Sequence, residues 1–350
     1  MHIFHNPFHR WHQGRQEMFR GRLVDCHEVP ARLDHVLAEL QRRPMGPLHT
    51  PSDVSLAALE CIHSPRYLDF LATAWDEWIA LDPANAALDA LPSVWPGRGM
   101  RHELLPTNFA ARLGLFGFDA GTPLTAGTWA AARAGAACAI AAAQHVADSD
   151  ANSAERSAFA LTRPPGHHAG SDFFGGYCFL NNAALAAQTL RERGFERVAV
   201  LDVDYHHGNG TQQIFESRAD VLTVSVHGDP RTEYPFFLGH ADERGTGAGE
   251  GFNLNLPLPR GTGFAVWREA LQTGLNAVRR VGAQALVVPL GVDTFEGDPI
   301  SGFTLESADY LQVGRAIASA QLPTVFVFEG GYAVAEVGIN VVNVLEGFGS

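Results

Sequence analysis

Short β-branched apolar runs alternate with longer segments of helical periodicity through the second half of this 350-residue chain. This alternation is typical of βαβ units, in which helices cover a mostly parallel sheet. The predicted strands, short and apolar as buried parallel strands are, are Ala158–Thr162, Val198–Val203, Val221–Val226, Leu286–Leu290 and Thr324–Phe328. The predicted helices between them are Asn182–Arg193, Phe264–Val281 and Ser307–Ala320. The sequence therefore predicts an α/β layered fold.

The first half is less regular. Its helical segments are Pro30–Arg43, Ser64–Leu81 and Gly127–Ala147. Asp82–Pro106 carries prolines and glycines with little periodicity, and its length favours a functional loop over an ordinary surface excursion. The polar tract Asp148–Glu155 indicates a surface loop. A chain of this length and apolar content can bury one large core, so we expect a single domain over residues 1–350.

Charge and composition narrow the function classes. The formal net charge of −13 gives no basic surface for nucleic acid or an anionic membrane; it favours solubility, or alternatively attraction of a cationic substrate. No apolar run is long enough to span a membrane, and histidines and arginines interrupt the first residues, so we expect a cytoplasmic protein. Four widely spaced cysteines argue against a disulfide scaffold.

Reactive side chains follow the ends of four predicted strands, where ligands bind in open α/β sheets. Asp202, Asp204 and His206 are two residues apart, so in extended chain they project to one side. With Asp293 from a neighbouring strand end, two carboxylates and one imidazole could hold a catalytic Zn²⁺ with room for water. Fe²⁺, Mn²⁺ and Co²⁺ accept the same ligand types. The alternative is that these carboxylates cap helices or pair with arginines.

Two further motifs could supply proton transfer and hydrogen bonding. His167 and His168 follow two prolines and a glycine, and imidazole titrates near neutrality, as proton shuttling requires. Gly330 and Gly331 allow a sharp bend that could bring Tyr332 into the site as a neutral phenol. Taken alone, a histidine pair or an aromatic residue after two glycines is more often a packing feature.

These motifs resemble those of bacterial acetylpolyamine amidohydrolases, relatives of the zinc histone deacetylases in the arginase–deacetylase superfamily. The matching segments are R-P-P-G-H-H-A from Arg163, G-G-Y-C-F-L-N-N from Gly175, L-D-V-D-Y-H-H-G-N-G-T-Q from Leu201, L-G-V-D-T-F from Leu290 and E-G-G-Y from Glu329. The resemblance implies a three-layer sandwich with a central mostly parallel sheet and helices on both faces. It also implies zinc-dependent removal of acetyl groups from small amines such as acetylputrescine or acetylcadaverine.

Residue roles follow from the same resemblance. It implies that zinc is held by Asp204, His206 and Asp293, that His168 is the general base with His167 as its electrostatic partner, and that Tyr332 stabilises the oxyanion. Asp202 and Asn209 would orient the histidines, and Tyr177 and Tyr234 would line a narrow channel. Structural K⁺ would be bound by Asp202, Asp204, His206, Ser225 and Val226.

The chain departs from these relatives near the channel entrance. Ala110 and Gly121 stand where the acetylpolyamine enzymes have acids that receive a distal ammonium. Asp119 or Glu103 could substitute, although an aspartate in a loop is more often a turn former. With both acids missing, discrimination between amine tails is predicted to be weak. Asp82–Pro106 matches the family's inserted loop, which narrows the entrance and helps to form a homodimer.

Three rival functions remain to be weighed. A two-manganese ureohydrolase needs further acids at positions occupied by Gly208 and Phe295. A lysine deacetylase of the histone deacetylase type, acting on peptides, would use the same site behind a more open entrance. An inactive binding module would lack a metal-ligating residue, the general base His168 or Tyr332, and all of these are present.

Overall fold

The computed structural model describes residues 1–150 and 156–350, and within them a single parallel sheet of eight strands forms the centre of the molecule. The strand order is β4-β1-β5-β10-β9-β6-β7-β8. The strands are β1 (His2–His5), β4 (Leu48–His49), β5 (Ser157–Leu161), β6 (Val198–Asp202), β7 (Val221–Gly228), β8 (Asn253–Leu258), β9 (Ala285–Leu290) and β10 (Thr324–Phe328). A separate antiparallel hairpin pairs β2 (Gln16–Phe19) with β3 (Arg22–Asp25).

All five predicted strands are confirmed, with boundaries within two residues of the prediction. Three strands of the sheet were not predicted. β1 has a histidine at each end and two apolar residues between them, β4 has two residues, and β8 contains Pro257. β4 and β8 are the edge strands, where a proline and a short length are tolerated because one side needs no ladder partner.

Helices cover both faces of the sheet, because successive strand residues point to opposite sides. The covering helices are α1 (Ala31–Arg42), α3 (Pro65–Leu81), α5 (Thr128–Asp148), α6 (Asn182–Glu192), α8 (Phe264–Arg280), α9 (Asp309–Ala318) and α10 (Val337–Gly349). Ala158 and Ala160 pack with α3, α5 and α6, whereas Phe159 and Leu161 pack with α1, α8, α9 and α10. The three-layer α/β sandwich is therefore confirmed.

Three shorter helices, α2 (Leu56–Leu59), α4 (Phe109–Phe116) and α7 (Asn209–Phe215), were missed, as was α10. The predicted helices, by contrast, all form, with boundaries within two residues of the prediction. No helix in the described part of the chain is long and apolar enough to cross a membrane.

Segment Asp82–Pro106 is a long loop, as predicted, with one 3₁₀ turn at Pro83–Ala87 and a bridge from Ala90 to Leu124. Its exposed apolar side chains are Leu88, Val94, Trp95, Met100, Leu104 and Leu105. Of the loop predicted at Asp148–Glu155, residues 151–155 lie outside the described residues.

Candidate metal and catalytic centre

The strands that carry the reactive motifs are contiguous in the sheet, in the order β5-β10-β9-β6. Each pairs in parallel with the next, so their carboxyl ends meet at one edge. The loops leaving these strands hold the side chains predicted to act together. The topology therefore places four segments that are distant in sequence around one point.

Asp204, His206 and Asp293 form a buried cluster at this edge, with one ligand atom of each within 4.8 Å of the others. His206 Nδ1 lies 2.9 Å from Asp293 Oδ2 and 3.5 Å from Asp204 Oδ1. Two carboxylates and one imidazole leave excess negative charge in a buried place, which a divalent cation would compensate. The donor set and its geometry therefore fit a catalytic metal.

Backbone groups hold the two carboxylates in place. Asp204 Oδ2 accepts a hydrogen bond of 2.8 Å from the amide of Gly330, and Asp293 Oδ1 accepts one of 2.8 Å from the amide of Tyr205. A Cβ at Gly330 would lie 2.6 Å from Asp204 Oδ2 and 2.7 Å from Asp293 Oδ2. Glycine is required at 330 because the backbone approaches both carboxylates at van der Waals distance.

The tandem histidines lie beside this cluster, with ring centroids 4.0 Å apart. His167 Nδ1 is 2.9 Å from Asp202 Oδ2, and His168 Nδ1 is 2.7 Å from Asn209 Oδ1. The structure thus brings together both predicted pairs. Because the Asn209 carbonyl oxygen accepts the proton on Nδ1, Nε2 of His168 is left as a proton acceptor.

The two imidazoles have opposite electrostatic surroundings. Burial opposes the charge on His167, but the carboxylates of Asp204 and Asp202 outweigh it and raise its pKa to about 10. Burial and the neighbouring imidazoles of His167 and His206 lower the pKa of His168 well below its usual value. The surroundings therefore favour the charged form of His167 and the neutral form of His168.

Tyr332 completes this group, which we call the catalytic floor: Asp204, His206, Asp293, His167, His168 and Tyr332. The Tyr332 amide donates to Asp298 Oδ2 at 2.7 Å, and the Arg32 guanidinium lies 4.6 Å from the centre of its ring. Burial raises the pKa of Tyr332 well above its usual value. The phenol therefore remains protonated and can donate a hydrogen bond.

Tyr177 and Tyr234 stand above the floor. The Tyr177 ring lies 5.5 Å from that of Tyr332, and the Tyr234 ring lies 5.1 Å from that of His168. The Tyr177 hydroxyl donates to Glu17 Oε1 at 2.9 Å, and the Tyr234 hydroxyl donates to Asp119 Oδ2 at 2.6 Å. We call the four residues Tyr177, Tyr234, Glu17 and Asp119 the tyrosine collar.

Of the residues predicted to bind K⁺, Asp204 and His206 belong to the floor, and Asp202, Ser225 and Val226 lie on β6 and β7. Asp202 and Ser225 are paired on adjacent strands, followed by buried Val226. Ser225 Oγ is 2.8 Å from His227 Nδ1.

Sequence reasoning missed a buried ionic network under the floor. Arg163 and Arg32 each form a 2.8 Å ion pair with Glu28, and Arg32 Nε donates to the Gly331 carbonyl at 2.7 Å. The network holds the backbone of Gly331, the residue directly before Tyr332, in place. The i, i+4 spacing of Glu28 and Arg32 was an available signal, but it predicts an ordinary helical surface pair.

The two departures at the entrance differ in position. Ala110 is exposed on α4, whereas a Cβ at Gly121 would lie 3.6 Å from Asp119 Oδ1. Glu103 is exposed on the long loop and pairs with Arg101. Of the two acids that could substitute, Asp119 is the one placed at the collar.

Comparisons with known proteins agree with this geometry. The histone deacetylase domain matches residues 26–348. Acetylpolyamine amidohydrolase 2 of Pseudomonas aeruginosa is 51% identical, over 97% of this chain and 96% of that protein. Acetylpolyamine amidohydrolase of Mycoplana ramosa is 44% identical over 99% of each. The crystal structure of acetylpolyamine aminohydrolase from Burkholderia pseudomallei, 39% identical, matches with a TM-score of 0.93 over 100% of this chain and 99% of that one. The chain therefore belongs to the histone deacetylase family.

Proposed function

We propose that this protein is a metal-dependent deacetylase that hydrolyses small acetylated amines, with acetylpolyamines such as acetylputrescine and acetylcadaverine as its substrates. The observation that carries the proposal is the buried cluster of Asp204, His206 and Asp293 beside the tandem histidines. The acetylpolyamine amidohydrolases named above match this chain over nearly their whole length.

The family implies a catalytic metal, and we propose Zn²⁺ held by Asp204, His206 and Asp293, with Fe²⁺, Mn²⁺ or Co²⁺ as alternatives. When bound, such a metal activates water and polarises the acetyl carbonyl. His168 then takes the proton of the attacking water at Nε2, because its Nδ1 is engaged by Asn209. The same nitrogen later delivers a proton to the departing amine.

The remaining floor residues stabilise charge. His167, held by Asp202, supplies a fixed positive charge beside the reacting group. The Tyr332 hydroxyl donates to the acetyl oxygen as it gains negative charge, a contact that is strongest in the transition state. Arg32 under the Tyr332 ring and the Asp298 contact to its amide keep the phenol in position.

The collar favours a slender substrate. Tyr177 and Tyr234 would pack on a methylene chain by apolar contact, and the long loop Asp82–Pro106 would obstruct a polypeptide. The alternative, a lysine deacetylase acting on peptides, rests on the same floor and differs at this entrance.

The proposal also includes a bound K⁺ and a homodimer. K⁺ would be bound by Asp202, Asp204, His206, Ser225 and Val226, supported by the pairing of Asp202 with Ser225 on adjacent strands. A cytoplasmic homodimer would form through the long loop, whose exposed apolar side chains include Trp95 and Met100. Light scattering on the purified protein tests whether it is a homodimer.

The function is tested by acetate release from acetylputrescine and from an acetyl-lysine peptide, with zinc-loaded protein. We expect hydrolysis of the amine, its loss in His168→Ala, and its retention in His35→Ala, the same substitution at an exposed histidine of α1. Turnover of neither substrate by the wild-type protein would refute the proposal. A higher kcat/KM for the peptide would favour the lysine deacetylase.

A further inference from the structure

The Asp119 carboxylate at the collar has hydrogen-bond donors but no cation beside it. Oδ2 accepts from the Tyr234 hydroxyl and from the Gly176 amide, both at 2.6 Å, and Oδ1 accepts from the Gly121 amide at 2.9 Å. Among the residues that the structure describes, no arginine or histidine forms an ion pair with it. Its negative charge is therefore uncompensated within the collar.

Glu17, the other collar carboxylate, is different. It is buried and lies 2.6 Å from Nδ1 of His27, whose pKa its hydrogen bond raises. Glu17 therefore has a histidine at ion-pair distance, whereas Asp119 has none among the described residues. Of the two acids, Asp119 is the one that leaves a charge for a ligand.

Each collar hydroxyl has already donated its single proton to a carboxylate. A phenol has one donor and two acceptor lone pairs, so the free positions of both oxygens are acceptors. Donation to an anion also strengthens the phenol oxygen as an acceptor. The collar thus offers acceptors and negative charge to a substrate tail, and no donor from these hydroxyls.

Tyr234 connects Asp119 to the floor. The Tyr234 ring touches the floor at His168, 5.1 Å between centroids, and its hydroxyl binds Asp119. One tyrosine ring therefore separates the catalytic imidazole from the carboxylate. Phe118 stacks on the same ring at 5.9 Å and adds an apolar wall.

The neighbouring glycine explains how this acid can replace a missing one. A side chain at position 121 would start 3.6 Å from Asp119 Oδ1. Acids at 119 and 121 would lie in contact and repel each other. In this chain, Gly121 leaves Asp119 without such a neighbour.

We propose that Asp119, with the polarised Tyr234 hydroxyl, is the specificity-determining residue that receives the ammonium of the amine tail. The proposal rests on the deacetylase function above and names the charge that its substrate carries. It replaces the sequence-based prediction of weak discrimination with a cation preference built from a different position.

The test uses three acetamides that share a four-methylene tail and differ in its end: acetylputrescine (cationic), N-pentylacetamide (neutral) and 5-acetamidopentanoate (anionic). The proteins are the wild type, Asp119→Asn, Asp119→Ala/Gly121→Glu and the control Glu103→Gln, which neutralises an exposed acid of the long loop. Asparagine keeps an oxygen that can accept from Tyr234, so the ring stays in place. kcat/KM is measured by acetate release at low and high salt.

We expect the wild type and Glu103→Gln to prefer the cation over the neutral substrate by roughly 10- to 100-fold, the usual value of a charge-assisted contact, and to disfavour the anion. Asp119→Asn should lower kcat/KM for the cationic substrate far more than for the neutral one, so that the preference is lost. Asp119→Ala/Gly121→Glu should restore part of it.

Other outcomes overturn the proposal. If Asp119→Asn lowers kcat/KM equally for all three substrates, Asp119 serves only to position Tyr234. If the preference survives in Asp119→Asn, another group receives the ammonium. Turnover of none of the three by the wild type would refute the hydrolysis of small acetylated amines, and this proposal with it, whereas turnover without charge preference refutes this proposal alone.

Discussion

The catalytic floor and the tyrosine collar face the same space but are built differently. Floor side chains follow adjacent parallel strands, and backbone amides such as that of Gly330 hold their carboxylates. Collar side chains come from the β2–β3 hairpin and from loops, and hydroxyl–carboxylate pairs hold them together. The floor is part of the sheet, whereas the collar is attached to it.

The difference indicates a division of labour. Rigid strand ends place the groups that every acetyl substrate needs, while loops carry the contacts that depend on the tail. Floor substitutions should therefore reduce turnover of all substrates alike, and collar substitutions should change KM and the choice among substrates.

The largest effect is predicted for Asp293. Asp293→Ala or Asp293→Asn removes one of the three proposed metal ligands, so bound zinc and turnover should fall below detection together. Asp242→Ala, at an exposed aspartate, is the matched control. Metal content by mass spectrometry, with circular dichroism to establish folding, provides the measurement. Stoichiometric zinc in an active Asp293→Ala protein would remove Asp293 from the site.

The floor could be predicted from sequence because each of its motifs is a short run that directly follows a predicted strand. Asp202, Asp204 and His206 are two residues apart, and strand ends in a parallel sheet converge. Tyr177 and Tyr234 were expected to line a channel, but their pairing with Glu17 and Asp119 could not be predicted, because these contacts join distant residues. Glu17 and Tyr177 are 160 residues apart, and Asp119 and Tyr234 are 115 apart.

The fold shows the same limit. Buried strands such as β6 and β10 are continuous apolar runs, which the sequence displays directly. Edge strand β4 has two residues, and β1 carries histidines, so neither produces a recognisable run. α7 starts inside the motif that supplies Asp204 and His206, where glycine and histidine obscure the helical period.

A second prediction separates two tyrosines. Tyr332→Phe should retain zinc and substrate binding while kcat falls roughly 10²- to 10³-fold, equivalent to about 2.7–4 kcal/mol, the usual loss for an oxyanion donor. Steady-state kinetics on acetylputrescine, with zinc content measured in parallel, is the test. An unchanged kcat would move Tyr332 from catalysis to packing.

A third prediction concerns His63, which connects the first half of the chain to the loop that follows the tandem histidines. His63 is buried, with Nδ1 2.9 Å from the Gly170 carbonyl and Nε2 accepting the Asn181 amide at 3.0 Å. Burial lowers the pKa of His63 to about 4, although its hydrogen bonds to the backbone favour the charged form. Both ring nitrogens are used by the neutral tautomer, so a second proton would break the Asn181 contact.

The sign of the pH dependence follows from this shift. Between pH 6.5, near the pKa of an unfolded histidine, and pH 4, the unfolded chain binds one proton more than the folded protein. The free energy of unfolding should therefore decrease as pH falls, by about 1.4 kcal/mol per unit at most and roughly 3 kcal/mol in total. Urea unfolding at pH 7 and pH 5 should show a smaller decrease for His63→Gln than for the wild type or for the exposed control His35→Gln. Equal slopes in all three proteins would mean that His63 titrates normally.

The smallest effect is predicted for Tyr177→Phe, the collar counterpart of Tyr332→Phe. The ring remains against Tyr332, and Glu17 keeps its contacts to the ring and amide of His27 at 2.6 and 3.2 Å. Only one acceptor oxygen facing the substrate is lost, about 1 kcal/mol or roughly 5-fold in kcat/KM, and the loss should fall on KM with kcat within about twofold of the wild type. If the hydroxyl acts through its pairing with Glu17, then Glu17→Gln should add little to Tyr177→Phe, because coupled partners are not additive. A kcat loss as large as that of Tyr332→Phe would place Tyr177 in the floor and end the distinction between the two regions at this residue.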